Sequence, residues 1–228
     1  MRLSWKSELP PVLLLAGMFL LAAVSWPAAP DRIPVHWNVA GQVDRYGGKV
    51  EGLLLIPLLA LGLYLLLLAL PWIDPGRANY PHFAGAYQTI RLTLVVFLAL
   101  VYGIVHLWIR GRQVAVGAWV PLLTGGLLVI FGNLMGKIRP NWFIGIRTPW
   151  TLSSKLAWMR THRLGGWLLI GLGLLLMALA VVRAVWAIWL VVAAGLGFTL
   201  WAVVYSYLVW RTDPDKVPPA GTLPAEEP

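Results

Sequence analysis

Six long apolar blocks, separated by polar and basic segments, dominate the pattern of this sequence. A helix that crosses roughly 30 Å of membrane hydrocarbon, rising about 1.5 Å per residue, needs about 20 apolar residues. Blocks near that length lie at residues 11–29, 52–73, 90–109, 114–136, 164–182 and 184–210. The pattern therefore predicts an all-α fold, a polytopic membrane protein with six transmembrane helices.

Two boundaries of this pattern leave alternatives open. Only Arg183 separates the last two blocks, and a single helix through both would be roughly 70 Å long, so we expect the chain to reverse near Arg183. Arg2 and Lys6 precede the first block, and residues 23–25 (Ala-Val-Ser) resemble a signal-peptide cleavage site. Because the apolar run continues beyond that site, we favour a retained span. A mature N-terminus near Trp26 would instead leave five spans.

The basic residues predict the orientation, because cytoplasmic loops are enriched in lysine and arginine. Most of the 18 lie at the N-terminus, in the second loop and at its exit into block three (Arg77 and Arg91), between blocks four and five, and after block six. The richest segment contains Lys137, Arg139, Arg147, Lys155, Arg160 and Arg163. We therefore expect a multi-pass protein of the cell membrane with both termini cytoplasmic.

Composition agrees with a location in the lipid bilayer and narrows the function classes. Hydrophobic residues make up 59% of the chain and charged residues 12%, against about 25% charged in soluble domains. The net charge of +9 reflects the basic loops beside the bilayer and does not indicate nucleic-acid binding. The chain has no cysteine, which excludes disulfides and thiolate metal sites.

The sequence contains no recognisable catalytic motif. The four histidines are His36, His82, His106 and His162, and none forms a close metal-binding pair. Residues 132–137 (GNLMGK) resemble a phosphate-binding loop only faintly, because the spacing is wrong. The six blocks contain no acidic residue, which argues against a proton relay. We therefore expect no enzymatic activity, no cofactor and no metal site.

The polar loop at residues 30–51 has the composition of an ordered cap on the outer side. Pro30 and Pro34 favour extended backbone, and Ile33, Val35 and Trp37 alternate as in a short strand. A turn is expected at residues 38–41. The residues alone favour structural packing over ligand contact for this loop.

The basic loop at residues 137–163 falls into two parts on the inner side. Its first part, residues 137–149, is irregular and braced by proline and Gly145. Thr151 or Ser153 then suits the cap of a helix running toward Arg163. Leu152, Leu156 and Met159 would form one apolar face of that helix. The helix is interpreted either as amphipathic and lying on the inner leaflet, or as a docking site for an acidic partner.

These two loops carry a resemblance to a known family. The inner motif comprises Asn133, Gly136 to Asn141, Phe143 to Thr151 and Thr161 to Arg163; it resembles the signature of the SdpI immunity-protein family (SdpI/YfhL-like). The outer loop comprises Pro34, His36, Trp37, Asn38, Gly41, Asp44, Tyr46, Gly47 and Lys49; it is similar to the domain of unknown function that often precedes that signature. Gly48 departs from the serine expected in many relatives. Together the motifs cover roughly half of the chain.

The resemblance implies a bacterial inner-membrane immunity protein that protects its cell from a secreted peptide toxin. It also implies signalling, by which a transcriptional repressor is sequestered at the cytoplasmic loop. Transport of a small solute or lipid, or a purely structural membrane role, is the alternative. The candidate ligand- or partner-binding residues are Asn133, Lys137, Arg139, Asn141, Arg147, Thr148, Trp150, Thr151 and His162 on the inner side, with His36, Trp37, Asn38, Asp44 and Lys49 on the outer side.

The predicted organisation has three parts. Residues 1–73 form an N-terminal two-span unit with its outer loop at 30–51. Residues 74–210 form an SdpI-like four-span unit with its basic loop at 137–163. Residues 211–228 are rich in proline and acid and cannot bury enough apolar surface to fold, so a disordered tail is expected.

Overall fold

The computed structural model describes residues 5–112, 114–182, 186 and 188–217. Within those ranges, six helices are long and apolar enough to cross a membrane, and the predicted six-span, all-α fold is confirmed. The helices are α1 (Trp5–Ser25), α2 (Lys49–Ile73), α3 (Ala84–Ile109), α4 (Val116–Met135), the single-turn α5 (Pro149–Leu152), α6 (Lys155–Val182) and α7 (Ile188–Arg211). A 3-10 helix, Arg77–Phe83, precedes α3. The predicted reversal at Arg183 lies outside the described residues, between α6 and α7.

Successive spans alternate in direction, so the connections gather at two ends of the bundle. The hairpin end carries the connection between α1 and α2. The loop end carries residues 74–83, residues 136–154 and the end of α7. The sequence motifs of the two loops therefore lie on opposite sides of the membrane.

The connection at the hairpin end is an antiparallel β-hairpin of β1 (Ile33–Trp37) and β2 (Val43–Gly47). Asn38 organises the turn, since its Oδ1 accepts the backbone N–H of both Ala40 and Gln42 at 3.0 Å. Ile33 is fully buried against Gly52 of α2, where a Cβ would lie 2.6 Å from an Ile33 methyl. The predicted extended segment and turn are both present, and β2 completes them as a hairpin.

The spans form two groups that meet at α3. Helices α1 and α2 pack against each other and against α3, while α6 packs against both α4 and α7. Helix α3 also packs on α4. Within the first group, Tyr102 of α3 donates a 2.8 Å hydrogen bond to the carbonyl of Leu53 on α2. Helix α3 therefore connects the hairpin-bearing spans to the rest of the bundle.

Two glycine pairs bring the backbones of α4 and α6 close together. A Cβ at Gly125 would lie 2.6 Å from the Gly173 carbonyl oxygen, and one at Gly132 would lie 2.6 Å from that of Gly166. Small residues permit such contact between spans. The sequence pair Gly132 and Gly136 predicts this kind of packing, and Gly132 provides it. A Cβ at Gly136 would meet open space.

A buried ion pair joins α1 to α3, which corrects the expectation that the spans lack acids. Helix α1 begins at Trp5, ahead of the predicted block, and therefore includes Glu8. Arg91 Nη2 lies 2.6 Å from Glu8 Oε1, and Tyr64 donates to Glu8 Oε2 at 2.7 Å. The Arg91 side chain is 3% exposed, so it is not the loop cation that the charge pattern suggested. Cleavage of the first span would remove the carboxylate that neutralises Arg91.

The chain around residues 152–163 differs from the predicted amphipathic helix. Leu152 ends α5, and α6 runs unbroken from Lys155 through the membrane to Val182. Ser154 lies just before α6 and caps its N-terminus, because its Oγ accepts the N–H of Ala157 at 2.9 Å. The predicted caps, Thr151 and Ser153, do not serve this helix. Charged side chains at one end of a long span produce the same pattern as an interfacial helix, which explains the error.

Candidate functional site

The structure separates the candidate residues into two groups rather than one site. The inner-side candidates gather at the loop end, and the outer-side candidates lie in or beside the hairpin. Some of these side chains are bonded within their own loop, whereas others are exposed. The bonded residues stabilise the conformation of their loop, whereas the exposed residues are accessible to a partner.

Asn141 holds the loop between α4 and α5 in shape. It is 1% exposed, and its Oδ1 accepts the N–H of Phe143 at 3.0 Å and of Ile144 at 2.7 Å. Its amide donates to the carbonyls of Arg139 and Ile144 at 2.9 and 3.0 Å. All of its hydrogen-bonding capacity is thereby used inside the loop.

Thr148 and Thr151 form a reciprocal cap on α5. The Thr151 N–H donates to Thr148 Oγ1 at 3.1 Å, and the Thr148 N–H donates to Thr151 Oγ1 at 2.9 Å. This capping box satisfies donors at the helix start. Thr148 Oγ1 also lies 2.9 Å from Ser206 Oγ of α7, and the Trp150 ring meets Tyr207 edge-on at 5.3 Å. The short helix is therefore fastened to the last span.

His162 supports the same loop from inside α6. Its Nδ1 lies 2.8 Å from the Trp158 carbonyl, and its Nε2 accepts the Ile146 N–H at 3.0 Å. These partners define a neutral ring with its proton on Nδ1. Gly145, at φ +110°, passes so close that a Cβ there would overlap the His162 ring. His162 is thus a support for the loop and is not exposed to a ligand.

Asp74, which the sequence analysis did not select, ties the two connections of the loop end together. It is 1% exposed and accepts the Tyr80 hydroxyl at 2.8 Å, the Gly76 N–H at 2.6 Å and the Trp142 N–H at 3.2 Å. Its position in an Asp-Pro-Gly segment indicates a turn. Its bond across to Trp142 has no signal in the sequence.

The remaining loop-end candidates are exposed: Asn133, Lys137, Arg139 and Arg147. Arg147 uses one nitrogen, Nη1, to donate to the Trp142 carbonyl at 2.7 Å. Of these four, Arg139 lines an open groove of about 1670 Å³, which we call the loop-end groove. Its lining includes the cations Arg139 and Lys155, the His82 ring, and the apolar residues Leu152, Leu156 and Met159.

The chain after α7 forms one edge of this groove, so the predicted disordered tail is wrong for residues 211–217. Ser154 Oγ donates a short hydrogen bond to Asp213 Oδ2, and the Val217 N–H donates to the Ser153 carbonyl at 2.9 Å. The Ser154 hydrogen bond holds the pKa of Asp213 below its ordinary value. Residues 218–228 lie outside the described part of the chain.

At the hairpin end, two of the polar candidates pair with each other, and the others bond elsewhere in the loop. His36 Nδ1 lies 2.6 Å from Asp44 Oδ1, with both side chains well exposed. Lys49 reaches the Trp26 carbonyl at 3.4 Å, and Trp37 packs against the core of α1, α2 and α3. Across the described ranges, no three His, Asp or Glu side chains are placed to hold a metal ion.

These features define a six-span membrane protein with a β-hairpin at one end and a rigid, cation-bearing loop at the other. Residues 137–206 match the SdpI/YfhL protein family, and residues 13–61 match a domain of unknown function, DUF1648. The predicted family resemblance is therefore confirmed, with both domains present in the predicted order.

A characterised relative is the immunity protein SdpI of Bacillus subtilis (strain 168). The two sequences are 23% identical over 175 residues, which cover 77% of this chain and 82% of that protein. No solved structure matches the chain.

Proposed function

We propose that this protein is a bacterial immunity protein that protects its cell from a secreted peptide toxin, and that its loop end recruits an acidic protein partner such as a transcriptional repressor. The observation that carries the second part, recruitment, is that buried and exposed polar side chains at the loop end have different roles. Buried polar side chains fix the loop, while its cations remain exposed. A loop that served only to orient the spans would need the charge without this internal bonding.

The chemistry of the loop-end groove suits an acidic amphipathic segment. Guanidinium groups make forked contacts with carboxylates, and Arg139 and Lys155 both line the groove. Asp213 and Asp215 line it as well, and Asp213 is already bonded to Ser154. The apolar wall would receive the apolar face of the same segment. The likeness to an immunity protein supports the first part of the proposal, namely protection.

The proposal requires the loop end to face the cytoplasm, as the distribution of basic residues indicates. Reporter fusions after Trp210 and within residues 38–45 test this orientation. We expect the first to be inside and the second outside. The reverse pattern would remove the loop end from any intracellular partner.

The alternative function, transport, is favoured by one observation, the buried Glu8–Arg91 pair. Ionisable groups within spans often mark a transport pathway. However, Glu8 and Arg91 neutralise each other at 2.6 Å, and neither lines the loop-end groove. We therefore interpret the pair as a fastening of α1 to α3.

Protection and recruitment can be tested separately. The protein is expressed in a sensitive host that is exposed to a panel of secreted membrane-active peptides, and survival is scored with protein levels measured alongside. Protection against none of the peptides would count against immunity. Arg139→Glu should abolish recruitment of the partner, and Arg139→Lys, which keeps the charge but cannot make a forked contact, should weaken it less. Equal recruitment by both variants would contradict the proposed role of the groove.

A further inference from the structure

A second cavity lies among the membrane-spanning helices directly beneath the β-hairpin. This hairpin cleft has a volume of about 400 Å³, within the range of roughly 300–1,000 Å³ typical of ligand sites. Its apolar walls come mainly from α2, α3 and α4 and include Leu55, Ile56, Val101, Ile104, Val120 and Pro121, with Ile188 of α7. The polar residues His36, Asn38 and Glu51 also line it. It is therefore suited to an apolar ligand.

The hairpin cleft opens toward the lipid. Helices α2 and α4 each pack on α3, which leaves the cleft between them with α3 at its back. Leu55 lines the cleft and is 51% exposed. An exposed leucine on a membrane-spanning helix faces hydrocarbon, so a ligand inserted in the membrane can reach the cleft sideways.

The roof of the cleft is a β-strand with a free edge. Residues Pro34 to Trp37 of β1 line the cleft, whereas β2 contributes none of the lining residues. Among the described residues, β1 pairs only with β2 in a two-stranded sheet. Pro34 has no backbone N–H to donate, and the register of β1 is irregular between Pro34 and Trp37. The other side of β1 therefore offers an incoming strand its carbonyls and the N–H groups of its other residues.

The roof is also held in place at both of its ends. Ile33 packs on Gly52 of α2, and a Cβ at Gly41 would lie 2.7 Å from the Gly117 nitrogen at the start of α4. A strand that is fixed in this way needs little reordering when it binds, which favours affinity.

From this juxtaposition we infer that the hairpin cleft binds an extended apolar peptide segment, which adds as a strand beside β1 and places alternate side chains in the cleft. This inference rests on the proposed function, since it identifies where a membrane-active peptide would be captured.

Strand addition would use both parts of the site, the free edge of β1 and the apolar cleft beneath it. In this mode, main-chain hydrogen bonds supply affinity and pockets for alternate side chains supply specificity. The five residues of β1 span about 17 Å at roughly 3.3 Å per residue, enough to pair with a segment of similar length. A lipid acyl chain could fill the apolar walls but has no groups to pair with the strand edge.

The test uses the full chain in vesicles of phosphatidylethanolamine and phosphatidylglycerol. The probe is a blocked seven-residue peptide of alternating leucine and threonine with a fluorescent donor at one end. Because the chain contains no cysteine, Arg112→Cys at the hairpin end provides a single site for the acceptor in every protein tested. Energy transfer then reports binding. A second probe carries the same side chains but is N-methylated at alternate residues, which removes its ability to pair as a strand.

We expect the unmethylated peptide to bind and the methylated peptide to bind at least tenfold more weakly. Val120→Trp fills the cleft and should weaken binding by a similar factor, whereas Val24→Trp, at a 67% exposed position on α1, should leave binding unchanged. Equal binding of the two peptides would overturn strand addition and indicate an apolar cleft for lipid or nonspecific partition. Cells that survive the toxin with Val120→Trp would overturn this site while leaving immunity itself intact.

Discussion

The two ends of the bundle each contain an asparagine that builds a turn, yet they use it differently. Asn38 and Asn141 both accept two backbone N–H groups within four residues of themselves. Asn141 is almost fully buried, and its amide donates to two backbone carbonyls, whereas the Asn38 amide donates to the exposed Gln42 side chain at 3.4 Å. Asn38 is partly exposed at the hairpin turn. The same local chemistry therefore supports a closed network at the loop end and an accessible turn at the hairpin end.

This difference assigns separate tasks to polar and apolar residues. At the loop end, buried polar groups define the shape and the exposed cations are available for contacts. At the hairpin end, apolar packing positions the strands and leaves an apolar cleft. The loop end should therefore be sensitive to the loss of single hydrogen bonds, and the hairpin end to changes in packing.

The largest expected effect comes from Gly145→Ala at the loop end. A side chain at φ +110° is strained, and its Cβ would overlap His162, so we expect destabilisation of about 4 kcal/mol. Thermal unfolding in detergent measures it. Gly111→Ala is the matched control, because Gly111 has φ +72° but open space around it. Equal losses in the two variants would show that the contact with His162 does not matter.

Asn141→Ala should follow, with a loss of about 3 kcal/mol, because buried N–H groups lose their acceptor. Asn38→Ala removes the corresponding bonds at the hairpin turn, where water can replace them, and should cost about 1 kcal/mol. Unfolding of both variants under identical conditions provides the comparison. A larger loss at Asn38 than at Asn141 would reverse the contrast between the two ends.

A smaller, pH-dependent effect is expected at Asp213. The Ser154 hydrogen bond lowers the pKa of Asp213 from its ordinary value of 3.8. The contact therefore stabilises the folded segment above that value and is lost as the pH falls through the lowered pKa. The protection of the Val217 amide against hydrogen exchange, relative to its intrinsic rate at each pH, should fall at the acidic end of the range, and Asp213→Asn should reduce it at neutral pH. Asp215→Asn is the control, and an identical effect from it would argue against the Ser154 contact.

The smallest effect on stability is expected from Arg147→Lys, because a lysine can also donate to the Trp142 carbonyl. Its effect on function is more informative. If the free nitrogens of Arg147 make a forked contact with a partner, the variant should lose recruitment despite normal membrane insertion. Recruitment or toxin survival, scaled to protein level, is the measurement. Retention of full function would show that Arg147 contributes only its positive charge and makes no forked contact.

The spans were predictable because the bilayer demands long apolar runs, and the turn at residues 38–41 was predictable because its residues have strong local preferences. Asn141, Thr148, Thr151 and His162 could be selected only through the family resemblance. The candidate role of these residues in partner contact stays a prediction, and their bonds assign them first to the shape of the loop.

Long-range pairings were not predictable in the same way. Asp74 bonds to Trp142 and Glu8 bonds to Arg91 across distances that no local pattern encodes. The predicted block counted only apolar residues and therefore left Glu8 out. A helix can nevertheless continue past its apolar run when a partner such as Arg91 neutralises a charged residue there. Asp213 appeared to belong to a disordered tail because its composition is polar, whereas one acceptor for Ser154 is enough to dock the segment.

The glycine pairs between α4 and α6 have a mechanical consequence. Gly125 and Gly132 are spaced as Gly166 and Gly173 are, and the helices run in opposite directions, so both contacts form in a single register. Sliding or rolling either helix would press a side chain into the opposite backbone. We therefore expect helices α4 and α6 to move together as one rigid pair.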